Sequence, residues 1–398
     1  MGRNIYMDYA ATTPLDKKVV LAMKNYWSKN FGNPSSIHKM GVEAKNILEE
    51  SRKKIADFIN GHSREIIFTS GGTEANNLAI LGVIKRQREK NPDKKIHLIT
   101  TNIEHSSVLE CFKELEKEGC EVSYLEVNQD GQVNPKDLRK LIKPETVFIS
   151  VGYANSEIGV IQPIKEIIKE IRYIRKDFGR ERFALPYFHI DASQAGQYLN
   201  MNVEELGIDL LTLDAQKMYG PKGIGALFIR DGVEISPLIL GGGQENGLRA
   251  GTENIPLIVG FSKAVDISAK IKEKENSRLI KLRDGFFEKI KKNVRNVVIN
   301  GHLENRLPNN INISIPGQDG EMLVLRLDEF GITSSSASAC ASGSGESYVV
   351  KTISKAAGLS DSDVSERAKS TLRFSLGRDT KIGDIIYLLK IIKKLINI

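Results

Sequence analysis

The chain has 398 residues, 40% hydrophobic and 27% charged, with 57 Lys and Arg against 50 Asp and Glu for a net charge of +7. A chain of that length buries a large core of two or three structural units. It holds no run of about 18 apolar residues and no apolar N-terminal leader, so neither a membrane span nor a secretion signal is expected. Its three cysteines, Cys111, Cys120 and Cys340, are odd in number and lack metal-ligand spacing. A disulfide framework or zinc site is therefore not expected, and a reducing cytoplasm fits best. The basic residues fall on helical faces, as in KEIIKEIRYIRK (165–176), rather than in an aromatic-interleaved patch, so direct nucleic-acid binding is not expected either.

From about residue 15 to 260, short apolar runs alternate with amphipathic stretches. Residues 66–69, 96–101, 122–127, 146–153, 187–191, 209–213 and 226–229 read as buried strands. Between them, Ile164, Ile167, Ile168, Ile171 and Ile174 recur at helical spacing behind Pro163. This alternation predicts an α/β fold with a mainly parallel seven-stranded sheet covered by helices. After about residue 260 a charged helical pattern (262–293) leads to short strands at 297–299 and 310–315, a Ser/Gly-rich segment and a closing helix. That predicts a smaller α+β unit. The expected division is 15–260 against 1–14 plus 261–398.

Candidate chemistry collects at the predicted strand ends. In TSGGTEANNLAI (69–80), Gly72 and Thr73 open a helix after a strand, a place where backbone N–H groups and the helix dipole favour an anion. An ordinary strand-to-helix turn would look the same. His105 follows a strand in TTNIEHSSVLE (100–110) and Asn155 follows another in YANSEIGVIQP (153–163), where loop structure is the plain explanation. Asp191 ends a strand in YFHIDASQAG (187–196), followed by Gln194. A carboxylate there faces the crevice where α/β proteins bind ligands, although it would also serve as a helix cap. Lys217 emerges from a buried strand into the turn of IDLLTLDAQKMYGPKGIGALFI (208–229), which would desolvate its amine; Lys222 shares the turn. A lysine, a carboxylate, a flat ring and an anion cradle are together what pyridoxal phosphate requires.

The chain resembles the NifS/IscS-type cysteine desulfurases, pyridoxal-phosphate enzymes with the aspartate-aminotransferase-like fold. The similarity runs through YMDYAATTP (6–14), FGNPSSIH (31–38), the motifs above, GGGQENGLRAGTENIP (241–256), SSASACAS and TLRFSLGR (371–378). It implies that Lys217 forms the Schiff base, Asp191 holds the pyridinium nitrogen and His105 stacks on the ring. Asn155 and Gln194 would bond near the ring's 3-oxygen. Gly72 and Thr73 would bind the phosphate, with Thr252 reaching it from the second subunit of a homodimer. Asn33 and Arg373 would hold the substrate carboxylate, which suits the planar fork of arginine, and Cys340 would take the sulfur. The implied reaction converts L-cysteine to L-alanine and a Cys340 persulfide. The implied acceptor is an iron–sulfur scaffold protein or a tRNA-thiolation protein, with transient cluster ligation by Cys340 open. A selenocysteine lyase and a non-catalytic sulfur-transfer scaffold are the competing readings.

Two positions depart from the family pattern. Before the Schiff-base lysine, Asp214-Ala215-Gln216 stands where relatives read Ser-Ala-His or Ser-Gly-His, and Asn246 stands where they often carry Arg, with Arg249 retained. A carboxylate near a phosphate repels it unless a cation intervenes or the side chain turns away. With Asp214 and Gln216 as cofactor-site candidates, a rewired phosphate site of Thr73, Gln216 and Thr252 is expected, Asp214 turning away in one version. Finally, SSSASACASGSGESY (334–348) sets Cys340 among small side chains with little to pack. It reads as a mobile carrier loop over about 333–347. Cys111 and Cys120 read as incidental thiols.

Overall fold

The computed structural model describes residues 4–181, 184–336 and 345–396. A short strand, β1 (Ile5–Tyr6), precedes helices α1 (Lys17–Met23) and α2 (Lys39–Ile59). Strands and helices then alternate: β2 (Ile66–Thr69), α3 (Gly72–Lys90), β3 (His97–Thr101), α4 (Ser106–Lys117), β4 (Glu121–Leu125) and α5 (Pro135–Leu141). They continue as β5 (Thr146–Gly152), α6 (Ile164–Asp177), β6 (Tyr187–Asp191), α7 (Val203–Leu206), β7 (Leu210–Asp214) and β8 (Gly225–Ile229). The predicted strands all appear, their ends shifted by no more than two residues.

These strands form one sheet of order β2-β8-β7-β6-β5-β3-β4. Strands β3 to β7 pair in parallel, and β8 is antiparallel to both neighbours, which leaves β2 pointing the same way as the rest. Successive residues alternate between two buried layers. Ile67, Leu98, Phe148, Leu210 and Leu227 pack with α3 and α4, whereas Phe68, Ile99, Ile149, Leu211 and Phe228 join the larger core with the five isoleucines of α6. Covering both faces explains why the strands read as continuous apolar runs rather than alternating ones.

Helix α8 (Ile255–Asn293) begins earlier than the charge pattern suggests and runs unbroken through residue 260. Pro256 lies in its first turn, where no N–H is required, and the Asn254 side chain accepts from Leu257 N–H at 3.3 Å. Beyond it lie β9 (Val298–Ile299), β10 (Asn310–Ser314), α9 (Gly320–Glu329), β11 (Ile332–Thr333), α10 (Tyr348–Ala356), α11 (Asp361–Lys369), β12 (Thr371–Ser375) and α12 (Ile382–Ile396). The order β12-β10-β9 makes an antiparallel sheet, and β1 pairs in parallel with β11. The N-terminal segment is thus tied to the C-terminal part of the chain, and it then passes over the C-terminal ends of the large sheet's strands. In an open parallel sheet those ends are where ligands bind.

Candidate active site

A cavity of about 250 Å³ opens at those ends, lined from β2, β3, β5, β6 and β7 outward by the residues that follow each strand. Gly72, Thr73, His105, Asn155, Asp191, Gln194, Asp214, Gln216, Lys217 and Arg373 all line it. Lys217 ends a single 3-10 turn (Ala215–Lys217) after β7 and donates from Nζ to the carbonyls of Ala10 and Ala11, at 2.8 and 2.6 Å. Burial pushes its amine below the ordinary lysine range, with Asp214 and Asp191 opposing. Lys222, by contrast, is exposed and lies outside this cavity. Gln194 Nε2 donates to the Ala10 carbonyl at 2.9 Å, so one backbone oxygen holds both the lysine and the glutamine.

Asp191 and His105 are joined through two intermediates. Asn76, on α3, donates from Nδ2 to Asp191 Oδ2 at 2.8 Å and to Ser107 Oγ at 2.9 Å. With its lone pair so engaged, the Ser107 hydroxyl donates to His105 Nδ1 at 2.8 Å, and Ser107 N–H points to the same nitrogen at 3.1 Å. His105 Nδ1 is therefore the acceptor and the ring proton sits on Nε2. Burial lowers the His105 pKa as well, so the ring is held neutral. Asp191 Oδ1 accepts from Ser193 N–H at 2.9 Å, closing a turn rather than capping a helix, and its carboxylate lines the cavity.

Arg373, on β12, is 2% exposed and pairs through Nη2 with Asp8 Oδ1. Its Nε is buried without a partner. The Asn155 side chain holds its own loop, donating to the Ile103 carbonyl and accepting from Glu157 and Ile158 N–H, each at 2.9 Å. Asp214 does not turn away. Its Oδ1 and Oδ2 accept from Gln216 N–H and Nε2 at 3.2 and 3.1 Å, inside the cavity. The physical reason is local: amides of the same turn cap the carboxylate.

Asn33 and Thr252 are exposed and are not brought to this cavity. Asn33 Oδ1 instead accepts from Ser35 N–H at 2.9 Å, closing a turn. Asn246 sits in the left-handed region at φ 56°, and Arg249 is committed to Glu74 at 2.9 Å. Cys111 and Cys120 are buried free thiols in the second core layer. Cys340 lies outside the described residues. The described flanks of its segment do reach the site: Ser335 N–H donates to the Arg373 carbonyl at 3.1 Å, and the Tyr348 hydroxyl donates to the Glu104 carbonyl.

Sequence reading passed over Asn76, Asp8, Ser193 and Glu104. Glu104 is 5% exposed and accepts from Gly152 N–H at 2.8 and 2.9 Å and from Thr101 Oγ1 at 2.7 Å. Burial pushes its carboxyl up to about 7. Its place beside His105 was the available signal.

A family profile described as Aminotransferase class-V matches residues 5–388. The chain belongs to the class-V aminotransferases. It is 46% identical to the cysteine desulfurase IscS of Dictyoglomus turgidum, over all of this chain and 95% of that one. It is 42% identical to cysteine desulfurase IscS 1 of Archaeoglobus fulgidus, over 98% of this chain and 97% of that one. A solved NifS-like protein superposes with a TM-score of 0.88 at 32% identity, covering 99% and 100% of the two chains. Another, described as SspA in complex with cysteine, gives 0.77 at 35% identity over 94% and 99%. The class-V aminotransferase described here is a pyridoxal-phosphate-dependent cysteine desulfurase of this type, with the aspartate-aminotransferase-like fold.

The residues present fit that cofactor. Lys217 and Asp191 occupy neighbouring strand ends of one cavity. Gly72 lacks the Cβ that would come within 2.9 Å of Ser193 Oγ, and that buried hydroxyl has no partner. The cradle thus offers the helix N-terminus and an uncommitted hydroxyl to an anion.

Proposed function

We propose that this cavity converts L-cysteine to L-alanine and leaves the sulfur as a persulfide on Cys340. The observation that carries the reading is a half-buried lysine in the turn after β7 and a carboxylate at the end of neighbouring β6, facing one cavity with a buried arginine. The solved relative described with cysteine supports the substrate. When bound, pyridoxal phosphate supplies an electron sink for the substrate's α-carbon. In the proposed assignment Lys217 Nζ is the cofactor's covalent partner and moves the α-carbon proton. Asp191, oriented by Asn76, holds the pyridine nitrogen's proton. His105, with its proton on Nε2, would hold the cofactor ring; Asn155 and Gln194 would bind near its 3-oxygen, and Gly72, Thr73, Asp214 and Gln216 would bind its phosphate. Arg373 orients the substrate carboxylate through its unpartnered Nε.

The Cys340 thiolate attacks the substrate sulfur; the C–S bond breaks as the S–S bond forms, and the α-amino acid fragment takes up protons to leave as alanine. A second thiol then removes the outer sulfur by the same exchange chemistry. The acceptor we propose is an iron–sulfur scaffold or tRNA-thiolation protein in the cytoplasm, a location that the free thiols of Cys111 and Cys120 support. We also propose a homodimer to which Thr252 and Asn33 contribute across the interface. Their exposure supports it, as do the exposed apolar side chains of Leu21, Trp27, Phe31 and Ile37 in the same N-terminal stretch as Asn33. Among the described residues no helix is long and apolar enough to cross a membrane.

The test is alanine formation from L-cysteine by the cofactor-loaded protein. The wild type should form alanine, Lys217→Ala should form none and lose the bound-cofactor colour, and Cys340→Ala should keep the colour but release no sulfide. Alanine formation by Lys217→Ala would refute the assignment.

A further inference from the structure

The end of the cavity that should receive an anion already contains a carboxyl group. Asp214 is 6% exposed and accepts from Gln216 N–H and Nε2. Gly72, the first residue of α3, packs against it. The approach is close: a Cβ on Gly72 would lie 3.3 Å from Asp214 Oδ2. Gly71, at φ 151°, turns the chain into the helix in a conformation reserved for glycine. The helix N-terminus that a phosphate would use is therefore already flanked by a buried carboxyl group. Two full negative charges at that range, one of them a phosphate monoester with a second pKa of about 6, cannot both be kept without compensation.

The surrounding charges do not provide it. Lys217, on the same turn, faces Asp214 but also Asp191, and burial weakens its hold on its own proton. His105, across the cavity at the start of α4, is neutral. Glu74, in the first turn of α3, is already paired with Arg249. Ser193, after β6, contributes a hydroxyl without a charge. Arg373, from β12, lines the same cavity but is paired with Asp8. Among the described residues, a proton is the remaining means of balance.

We infer that Asp214 holds the cofactor's phosphate as a neutral carboxylic acid, donating a hydrogen bond to a phosphate oxygen, so that phosphate binding draws one proton from solvent. This rests on the cofactor assignment above. Burial raises the Asp214 pKa, the direction that favours the acid form, with Lys217 and the Gln216 hydrogen bonds opposing. A carboxyl group in that place donates only while protonated. Cofactor retention should therefore weaken as pH rises.

The experiment titrates the full-length protein with pyridoxal phosphate and with pyridoxal, which lacks the phosphate, across about pH 6 to 9. The ratio of the two Kd values cancels the chemistry that both share at Lys217. In the wild type this ratio should rise by about tenfold per pH unit above the Asp214 pKa. In Asp214→Asn, an amide that donates at every pH, it should stay level. Calorimetry in two buffers of different ionisation enthalpy should show the wild type taking up about one more proton with pyridoxal phosphate than with pyridoxal. That second comparison needs no variant. A level ratio in the wild type, or equal slopes in wild type and Asp214→Asn, overturns the inference. If neither compound forms a coloured adduct with the wild type, the cofactor assignment fails and the inference with it. If the adduct forms and the slopes match, only the inference fails.

Discussion

Arg373 Nη2 donates to Asp8 Oδ1 at 2.8 Å, joining β12 to the segment that follows β1 across most of the length of the chain. Nη1 meets the Ser156 carbonyl at 3.3 Å, and Nε remains buried and unpartnered. One edge of the guanidinium is thus fixed and another is left for a ligand. Removing Asp8 leaves a buried cation without its partner. Asp8→Ala should raise KM for L-cysteine by about tenfold, equivalent to ~1.4 kcal/mol, with kcat changed by less than about threefold. Steady-state kinetics separates the two; a fall in kcat at unchanged KM would contradict this account of Asp8.

The hydrogen-bonded chain from Asp191 through Asn76 and Ser107 to His105 fixes both a carboxylate and a tautomer. Asn76→Ala removes two donors at once and leaves buried acceptors unmet, a cost of about 1–3 kcal/mol. It should lower kcat by at least about tenfold and shift the absorbance of the bound cofactor, while Asn76→Gln should not restore either. Wild-type spectra and rates in Asn76→Ala would show that Asp191 needs no such support.

Glu104 predicts a pH dependence of stability. Its folded pKa of about 7 lies above the ordinary glutamate value because of burial. Between that ordinary value, about 4.3, and about 7 the folded state binds a proton that the unfolded state has lost, so stability falls as pH rises through this window. The loss is on the order of 3 kcal/mol. Urea unfolding of the wild type and Glu104→Gln should show their difference changing across this window and level above it. Parallel curves would place the Glu104 pKa near the ordinary value.

Gly72 should tolerate no side chain in the holoenzyme. An alanine Cβ would come within 2.9 Å of Ser193 Oγ and 3.3 Å of Asp214 Oδ2. Overpacking of that kind costs about 1–3 kcal/mol. Gly72→Ala should weaken pyridoxal phosphate binding by about tenfold or more and leave pyridoxal binding within about threefold. An equal loss for both compounds would place Gly72 away from the phosphate.

The large sheet was legible because strands buried on both faces read as plain apolar runs, and because the candidate residues follow those strands directly. β12 was not legible. TLRFS carries an arginine that only its long-range partner Asp8 makes compatible with burial. Glu104 was hidden for the same reason, since its partner Gly152 N–H is 48 residues away. Asn33 is the opposite case: the motif points it toward the substrate, while within one chain its side chain closes its own turn, so its part in the site rests on the proposed dimer. Asp214 was recognised as a departure, but which way it faced depended on Gln216 and on Gly72 of α3. No spacing in the sequence records those contacts.

The most direct measurement is the mass of the Cys340 peptide after a single turnover with L-cysteine. The wild type should gain one sulfur atom on Cys340, with one alanine formed per site, and Lys217→Ala should gain none. Alanine formation with Cys340 unmodified in the wild type, under conditions that preserve persulfides, would contradict the account.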